Sequence, residues 1–308
     1  MMKFELRFYF LLMLLIMPLF SWAELVAPEC KVLDEFEEVT PAQSVYGKGL
    51  LWKVSKAGTT PNYVFGTIHV ADESITKIPA KVMAALNNAK TFAMEVIPEA
   101  SEYVTLASLM YFTDEQKLSD LISKPLFAEV VRLLGAYHLS EEVVTLLKPW
   151  AAFLTLSYPP EFGQVLDLQL LALARKNGAE VSGLETLREQ VDIFDTMAID
   201  KQLRLLSDTA CHYDLVEVDF EIMKSLYVDR DLAGLYAYTQ RYSQSDDDLY
   251  DELIKKLLID RNHTMTERMQ VMLQAGNAFI AIGAMHLVGE EGVLSLLAKN
   301  EYEISLVY

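Results

Sequence analysis

Apolar positions form short runs near both ends of the chain and recur at helical spacing between them. Val64-Phe65 runs into Gly66-Thr67-Ile68-His69, followed by a polar turn, a helical stretch from about Pro79 to Ala89, and the apolar run Thr91-Phe92-Ala93-Met94-Glu95-Val96. The same order returns near the other end. Ala278-Phe279-Ile280-Ala281-Ile282 closes on Gly283-Ala284-Met285-His286, a helix is expected from about Glu291 to Lys299, and Glu303-Ile304-Ser305-Leu306-Val307 follows as a strand. Two units of strand, Gly-x-x-His, helix and strand are therefore predicted.

Upstream of the first unit, Leu50 to Val54 reads as one arm of a hairpin, residues 56–62 as its turn, and Tyr63 to Gly66 as the return strand. The middle of the chain is helical by spacing. Phe127, Val130, Val131 and Leu134 share one face, as do Val143, Val144 and Leu147, with breaks at Pro125, Pro149 and Pro159-Pro160. Leu166 to Lys176 predicts an amphipathic helix closed by Asn177-Gly178. Glu180 to Glu185 then reads as a short strand ending on a carboxylate, and about 186–275 is helical again. The acid run Ser245-Asp246-Asp247-Asp248 in that stretch reads as solvated surface.

This pattern predicts an α/β chain, with α+β as the alternative: a mixed sheet built from two matching halves around a large helical middle. If the two ends pair in one sheet, the halves are related by a pseudo-two-fold and both histidines lie at one edge. No Pro/Gly/Ser-rich linker divides residues 24–308, so one domain is expected.

Composition narrows the partners. With 308 residues, 52% of them apolar, the chain can bury a substantial core. A formal net charge of −18 argues against nucleic acid and anionic membrane. Lys3 and Arg7, the apolar run Phe8 to Phe20, and Ser21-Trp22-Ala23 read as a cleaved signal peptide over residues 1–23. The mature chain is expected to begin at Glu24, in the periplasm or outside the cell, with no stable membrane span after cleavage. Cys30 and Cys211 are the only cysteines, and in such a compartment either a single bridge or two thiols can be expected.

Four strand-like runs end on or beside residues able to bind a metal or move a proton: His69, Glu95, Glu185 and His286. The carboxyl ends of strands are where open sheets form their crevices. Two imidazoles with one or two carboxylates suit a divalent metal with an open position for water, and hydrolysis follows from such a site. Gly66 and Gly283 leave room there for a ligand or an opposing backbone. His138 reads as a helix-end residue, and His212 and His263 as exposed or structural. Met265, Met269 and Met272 read as core or groove lining. No Gly-x-Ser-x-Gly, P-loop or His-Glu-x-x-His is present.

In order along the chain stand Leu51-Trp52-Lys53-Val54, Gly66-Thr67-Ile68-His69, Glu95, Lys148-Pro149-Trp150, Gly183-Leu184-Glu185-Thr186 with Glu189-Gln190, Asp260-Arg261-Asn262, and Gly283-Ala284-Met285-His286-Leu287 with Gly289 and Gly292. Together they resemble the TraB/GumN family, also called TraB/PrgY, over essentially the whole mature chain. That family is similar to the membrane-tethered Tiki metalloproteases and to the ChaN-like and erythromycin-esterase-like proteins. The resemblance implies an α/β fold of two halves with a metal site, manganese or cobalt being favoured and zinc allowed. By motif it implies His69 and His286 as metal ligands, Glu95 as ligand or general base, and Arg261 as a stabiliser of negative charge or partner of a site carboxylate. Glu185 is a second acid or a structural ion pair. Lys148-Pro149-Trp150 is expected to be structural. Asp260 stands where the family tends to have Glu. The function expected is that of a metal-dependent hydrolase, foremost a peptidase with a peptide or protein substrate; the alternative is a protein that sequesters peptides in the same crevice without turnover.

Overall fold

The computed structural model describes residues 46–97, 99–160, 163–240 and 248–308. Six strands form one mixed sheet: β1 (Leu51–Ser55), β2 (Asn62–Thr67), β3 (Thr91–Met94), β4 (Glu180–Gly183), β5 (Ala278–Gly283) and β6 (Glu303–Leu306). Their order is β4-β3-β5-β2-β1-β6. β4, β3, β5 and β2 run parallel, while β1 is antiparallel to both β2 and β6.

The two ends of the chain therefore meet in one sheet, as the repeated pattern predicts. β2 and β5, the strands that lead into the two Gly-x-x-His segments, are direct neighbours, with Thr67 opposite Gly283. Both histidines consequently follow the same edge. Strand order does not carry the expected pseudo-two-fold: β3 stands two places from β2, whereas β6 stands three from β5 with antiparallel β1 between. The hairpin strand β1 takes up the position beside β2 that the symmetry would give to β6.

The central strands are nearly continuous apolar runs because both faces are covered. Val64, Phe65, Phe92, Phe279, Ile280 and Ile282 are all buried, and the rings of Phe92 and Phe279 stack with centroids 6.2 Å apart. The turn residue Asn62 belongs to β2 instead. Fully buried, it donates to the Leu273 carbonyl (3.0 Å) and accepts from the Ala278 N–H (3.0 Å), so it pins β5 beside the hairpin.

Helices Ala80–Asn87, Leu166–Lys176, Asp214–Val228 and Val293–Lys299 pack on the sheet and bury its core. A second core, built from helices alone, gathers around Trp150, Leu134, Leu147, Leu156 and Leu206. The prolines start helices as well as ending them. Pro125 and Pro149 occupy the first turns of Lys124–Leu134 and Pro149–Leu156, where a missing N–H costs nothing. Leu166–Lys176 has the predicted bounds, and Gly178 beyond it adopts φ +78°, a left-handed conformation suited to glycine. The Lys-Pro-Trp segment is structural, as expected: the Lys148 ammonium and the Trp150 indole N–H both donate to Asp195 Oδ1, at 2.7 and 2.9 Å.

Among the described residues no helix is long and apolar enough to cross a membrane. The expected signal peptide, Cys30, and Ser245 to Asp247 lie outside the described residues. Asp248 opens the helix Asp248–Ile254.

Candidate active site

Strand register sets the site. Thr67, Gly283, Met94 and Gly183 end four parallel neighbours, and the chain continues from each into His69, His286, Glu95 and Glu185. Pairing of β3 with β4 runs on past the strands. Leu184 N–H bonds the Met94 carbonyl at 2.8 Å and Glu185 N–H bonds that of Glu95 at 2.7 Å, which places the two glutamates side by side.

Both carboxylates receive the same cation. Arg261 Nη2 donates to Glu95 Oε2 at 2.6 Å and to Glu185 Oε2 at 2.8 Å, while Nε donates to Glu185 Oε1 at 3.0 Å. Nη1 donates to the Leu257 carbonyl at 3.1 Å, so a single Nη1 hydrogen is left for anything else. All three side chains are buried: 14% exposed for Arg261, 12% for Glu95 and 4% for Glu185. Gln190 Nε2 adds donations to Glu185 at 3.1 Å and to Glu95 at 3.3 Å. A buried ion pair of this kind is sustained by saturating its hydrogen bonds, because desolvation opposes it.

The other Glu95 oxygen faces β5. Oε1 accepts from Gly283 N–H at 2.7 Å and lies 3.6 Å from His286 Nε2. A Cβ on Gly283 would stand 3.2 Å from that oxygen and 3.4 Å from His286 Cδ2, so the glycine leaves the space in which they meet. Gly66 does a different job. A Cβ there would meet Leu287 Cδ1 at 2.8 Å and Ala284 Cα at 3.1 Å, so this glycine permits close packing of the two motif loops.

Each imidazole is held by its Nδ1. His286 Nδ1 pairs with Asn262 Oδ1 at 2.7 Å, and because a side-chain amide oxygen can only accept, Nδ1 carries the hydrogen. His69 Nδ1 pairs with Asp167 Oδ2 at 3.0 Å, while Asp167 Oδ1 accepts from the Thr67 hydroxyl at 2.6 Å. His286 therefore presents a bare Nε2, and His69 presents its own Nε2 beyond a carboxylate. Acceptors behind imidazoles in this way fix the tautomer of metal-binding and proton-transferring histidines alike.

Electrostatics separates the two rings. Burial pushes His286 down to about 4, so it is neutral at ordinary pH. Burial also acts to lower His69, but the hydrogen bond and charge of Asp167, with Glu95 behind it, raise it to about 9. The His69 side chain is 48% exposed, at the open side of the site. Burial pushes Glu95 up, and His286, Arg261, His69 and the Gly283 N–H more than offset it, leaving the carboxyl at about 2. Arg261 stays charged: burial opposes its charge, and the two glutamates raise its pKa nevertheless.

All five expected site residues thus come to one edge of the sheet: His69, Glu95, Glu185, Arg261 and His286. Among the described residues, no group of three His, Cys, Asp or Glu side chains is already drawn together about one point as ligands of an ion. Donor capacity nevertheless remains. Each imidazole has its Nε2, and Glu95 Oε1 has a lone pair beyond the bond it accepts from Gly283, whereas Oε2 accepts from both Arg261 and Gln190.

This chain's family is decided by its sequence as a whole. A model of the TraB/PrgY/gumN family matches residues 50–306. The chain belongs to that family. Two relatives, the uncharacterized protein YbaP of Shigella flexneri and that of Escherichia coli strain K12, are each 23% identical over 253 residues, covering 79% of this chain and 90% of the relative. No solved structure matches. Within this TraB/PrgY/gumN chain, the departure at Asp260 does not touch the site, since its carboxylate pairs with Lys255 at the exposed surface.

Asp167 is a site residue that motif reading does not single out, and Asn262 and Gln190 stand within the motifs without an expected role. Asp167 shares the buried face of its helix with Leu170, Leu171 and Ala174, and Asn262 shares one with Met265, Thr266 and Met269. A polar residue at a core position of an amphipathic helix is the signal in both. Gln190 follows Glu189, whose carboxylate instead closes a capping box with Thr186 and binds Arg268. The remaining histidines fall as expected. His138 caps a short helix in a left-handed conformation, His212 ends Ile199–Cys211, and the half-exposed His263 pairs with Glu291.

Proposed function

We propose that this TraB/PrgY/gumN protein is a hydrolase of acyl bonds, foremost peptide bonds, working outside the cytoplasm at the carboxyl edge of its sheet. One observation carries the reading: two imidazoles, each held at Nδ1 by a buried acceptor, present Nε2 on the edge that also holds the Glu95 carboxylate. His69, His286 and Glu95 fit a divalent metal in kind, with manganese or cobalt favoured by the family resemblance and zinc allowed. Bound there, such an ion would polarise a carbonyl and lower the pKa of water.

The chain's own groups supply the rest. Glu95 stays ionised and can orient a water or accept its hydrogen bond through the free lone pair of Oε1. His286, neutral with Nε2 bare, can accept a proton there or ligate. His69 is cationic while Asp167 holds it, so with no ion bound it can donate from Nε2 to a leaving group. Arg261 keeps Glu95 charged and in place, and its remaining Nη1 hydrogen is the one it can offer to an oxyanion. Glu185 and Gln190 position Arg261 and the Glu95 carboxylate.

The test is metal content and cleavage of a broad peptide library by purified protein, with His69→Ala and His286→Ala as comparisons. Wild-type protein that takes up no divalent metal and cuts nothing would overturn the reading. The second reading, sequestration of peptides without turnover, is favoured by the engagement of both Glu95 oxygens and of most Arg261 donors. Stoichiometric peptide binding that survives chelation and both histidine substitutions would support it over hydrolysis.

A further inference from the structure

A groove of about 340 Å³ runs between Pro159-Pro160 and the helix Asp214–Val228. The two prolines, Tyr213, Val216 and Phe220 are its apolar lining. Its rim is acidic: Asp214, Glu217 and Glu221 line it, and no Lys or Arg does. Lys224 pairs with Glu221 at 2.7 Å, but the exposed Asp214 and Glu217 have no ion pair among the described residues.

The groove is joined to the site in two ways. Phe220 meets the ring of Tyr158 edge-on at 5.5 Å. Tyr158 is half exposed, and its phenol is pushed up by burial and by the charge of Glu95. The helix itself also continues toward the histidine edge. Two turns beyond Phe220, the Tyr227 hydroxyl donates to the Gly66 carbonyl at 2.9 Å, and Lys224 between them pairs with Asp72 at 3.2 Å.

We propose that this groove is a subsite for a lysine or arginine side chain of a polypeptide substrate. The apolar walls suit the long methylene stem of such a side chain, and the unpaired carboxylates at the rim suit its cationic head. An acidic side chain would meet two uncompensated like charges. A purely apolar one would leave the rim acids without a partner. The occupant is a polypeptide because the helix that lines the groove also reaches, through Tyr227 and Lys224, the segment that carries His69.

The proposal rests on the peptide-directed reading above, and its test separates the two. Short fluorescent peptides of fixed neutral sequence, carrying Lys, norleucine or Glu at one scanned position, are titrated into the full-length protein and into Glu217→Lys, Asp214→Lys and Glu217→Gln variants. Cleavage is followed in parallel, and all binding is repeated with His286→Ala. Binding of the Lys peptide about tenfold tighter than the Glu peptide, reversed by the two Lys variants, reduced by Glu217→Gln and weakened by salt, would support the subsite. That preference without any cleavage would support the subsite and count against hydrolysis. Equal affinities for Lys and Glu peptides, a preference untouched by the charge reversals in variants that melt like wild type, or no peptide binding at all would overturn it.

Discussion

Arg261 grips Glu185 with two nitrogens, Nε at 3.0 Å and Nη2 at 2.8 Å, and the same Nη2 reaches Glu95 at 2.6 Å. Removing the guanidinium would leave two buried carboxylates facing each other. Arg261→Met is expected to lower stability by about 3–5 kcal/mol, read as a shift in urea midpoint. Glu185→Gln, which keeps a hydrogen-bond acceptor, should cost less. The sign with pH follows from Glu95: its folded value of about 2 lies below its ordinary 4.5, so the clamp's contribution is present above 4.5 and lost as pH falls through 2. In Arg261→Met the acid limb of the stability profile should move to higher pH.

Asp167→Asn is expected to act through His69. An amide can still accept from Thr67, but its nitrogen would face His69 Nδ1 and turn the ring toward the tautomer that is protonated at Nε2. We expect cleavage to fall about 10–100-fold, and the His69 pKa, followed by NMR, to drop from about 9 toward 6.5. In wild type the raised value contributes stability in full below 6.5, and that contribution disappears as pH rises through 9. Because His69 is half exposed, the contribution is on the order of 1 kcal/mol.

Asn262→Asp tests the other ring. A carboxylate at the position of Oδ1 would stabilise the imidazolium, so the His286 pKa should climb from about 4. The acid limb of the pH–rate profile should move upward with it. An unchanged His286 titration would mean that Asn262 does not govern the ring.

The two motif glycines should respond differently to alanine. Gly66→Ala forces a methyl group against Leu287 and the Ala284 backbone, and is expected to cost about 1–3 kcal/mol of stability. Gly283→Ala places the methyl group between Glu95 and His286. Its main effect should be on turnover, with the thermal midpoint moved less than by Gly66→Ala. Paired melting and cleavage assays distinguish the outcomes.

Much of this arrangement is legible in the sequence because strands that end on functional residues are local signals. The runs closing on His69, Glu95, Glu185 and His286 each predict a strand and its terminus, and a parallel sheet brings those termini to one edge. Asp167 and Asn262 are harder to read because each acts across the fold on a residue that its own helix does not name. The place of β1 was equally hidden. Its pairing with β6 depends on long-range register, which the apolar alternation within each strand does not specify.

The five residues Lys255–Ile259 form a π-helical turn, with Asp260 N–H bonded back to the Lys255 carbonyl, directly ahead of Arg261 and Asn262. Such a turn holds one residue more than the α-helix around it, so it acts as a phase setting for everything that follows. Both neighbours depend on that phase together: Arg261 for the glutamates of β3 and β4, Asn262 for the imidazole beyond β5. The turn already holds its extra residue, so one more inserted ahead of Arg261 would rotate the pair by about 100°, detaching the cation and the tautomer control in one step. Length within this turn is thus under tighter constraint than the identity of the exposed side chains it carries.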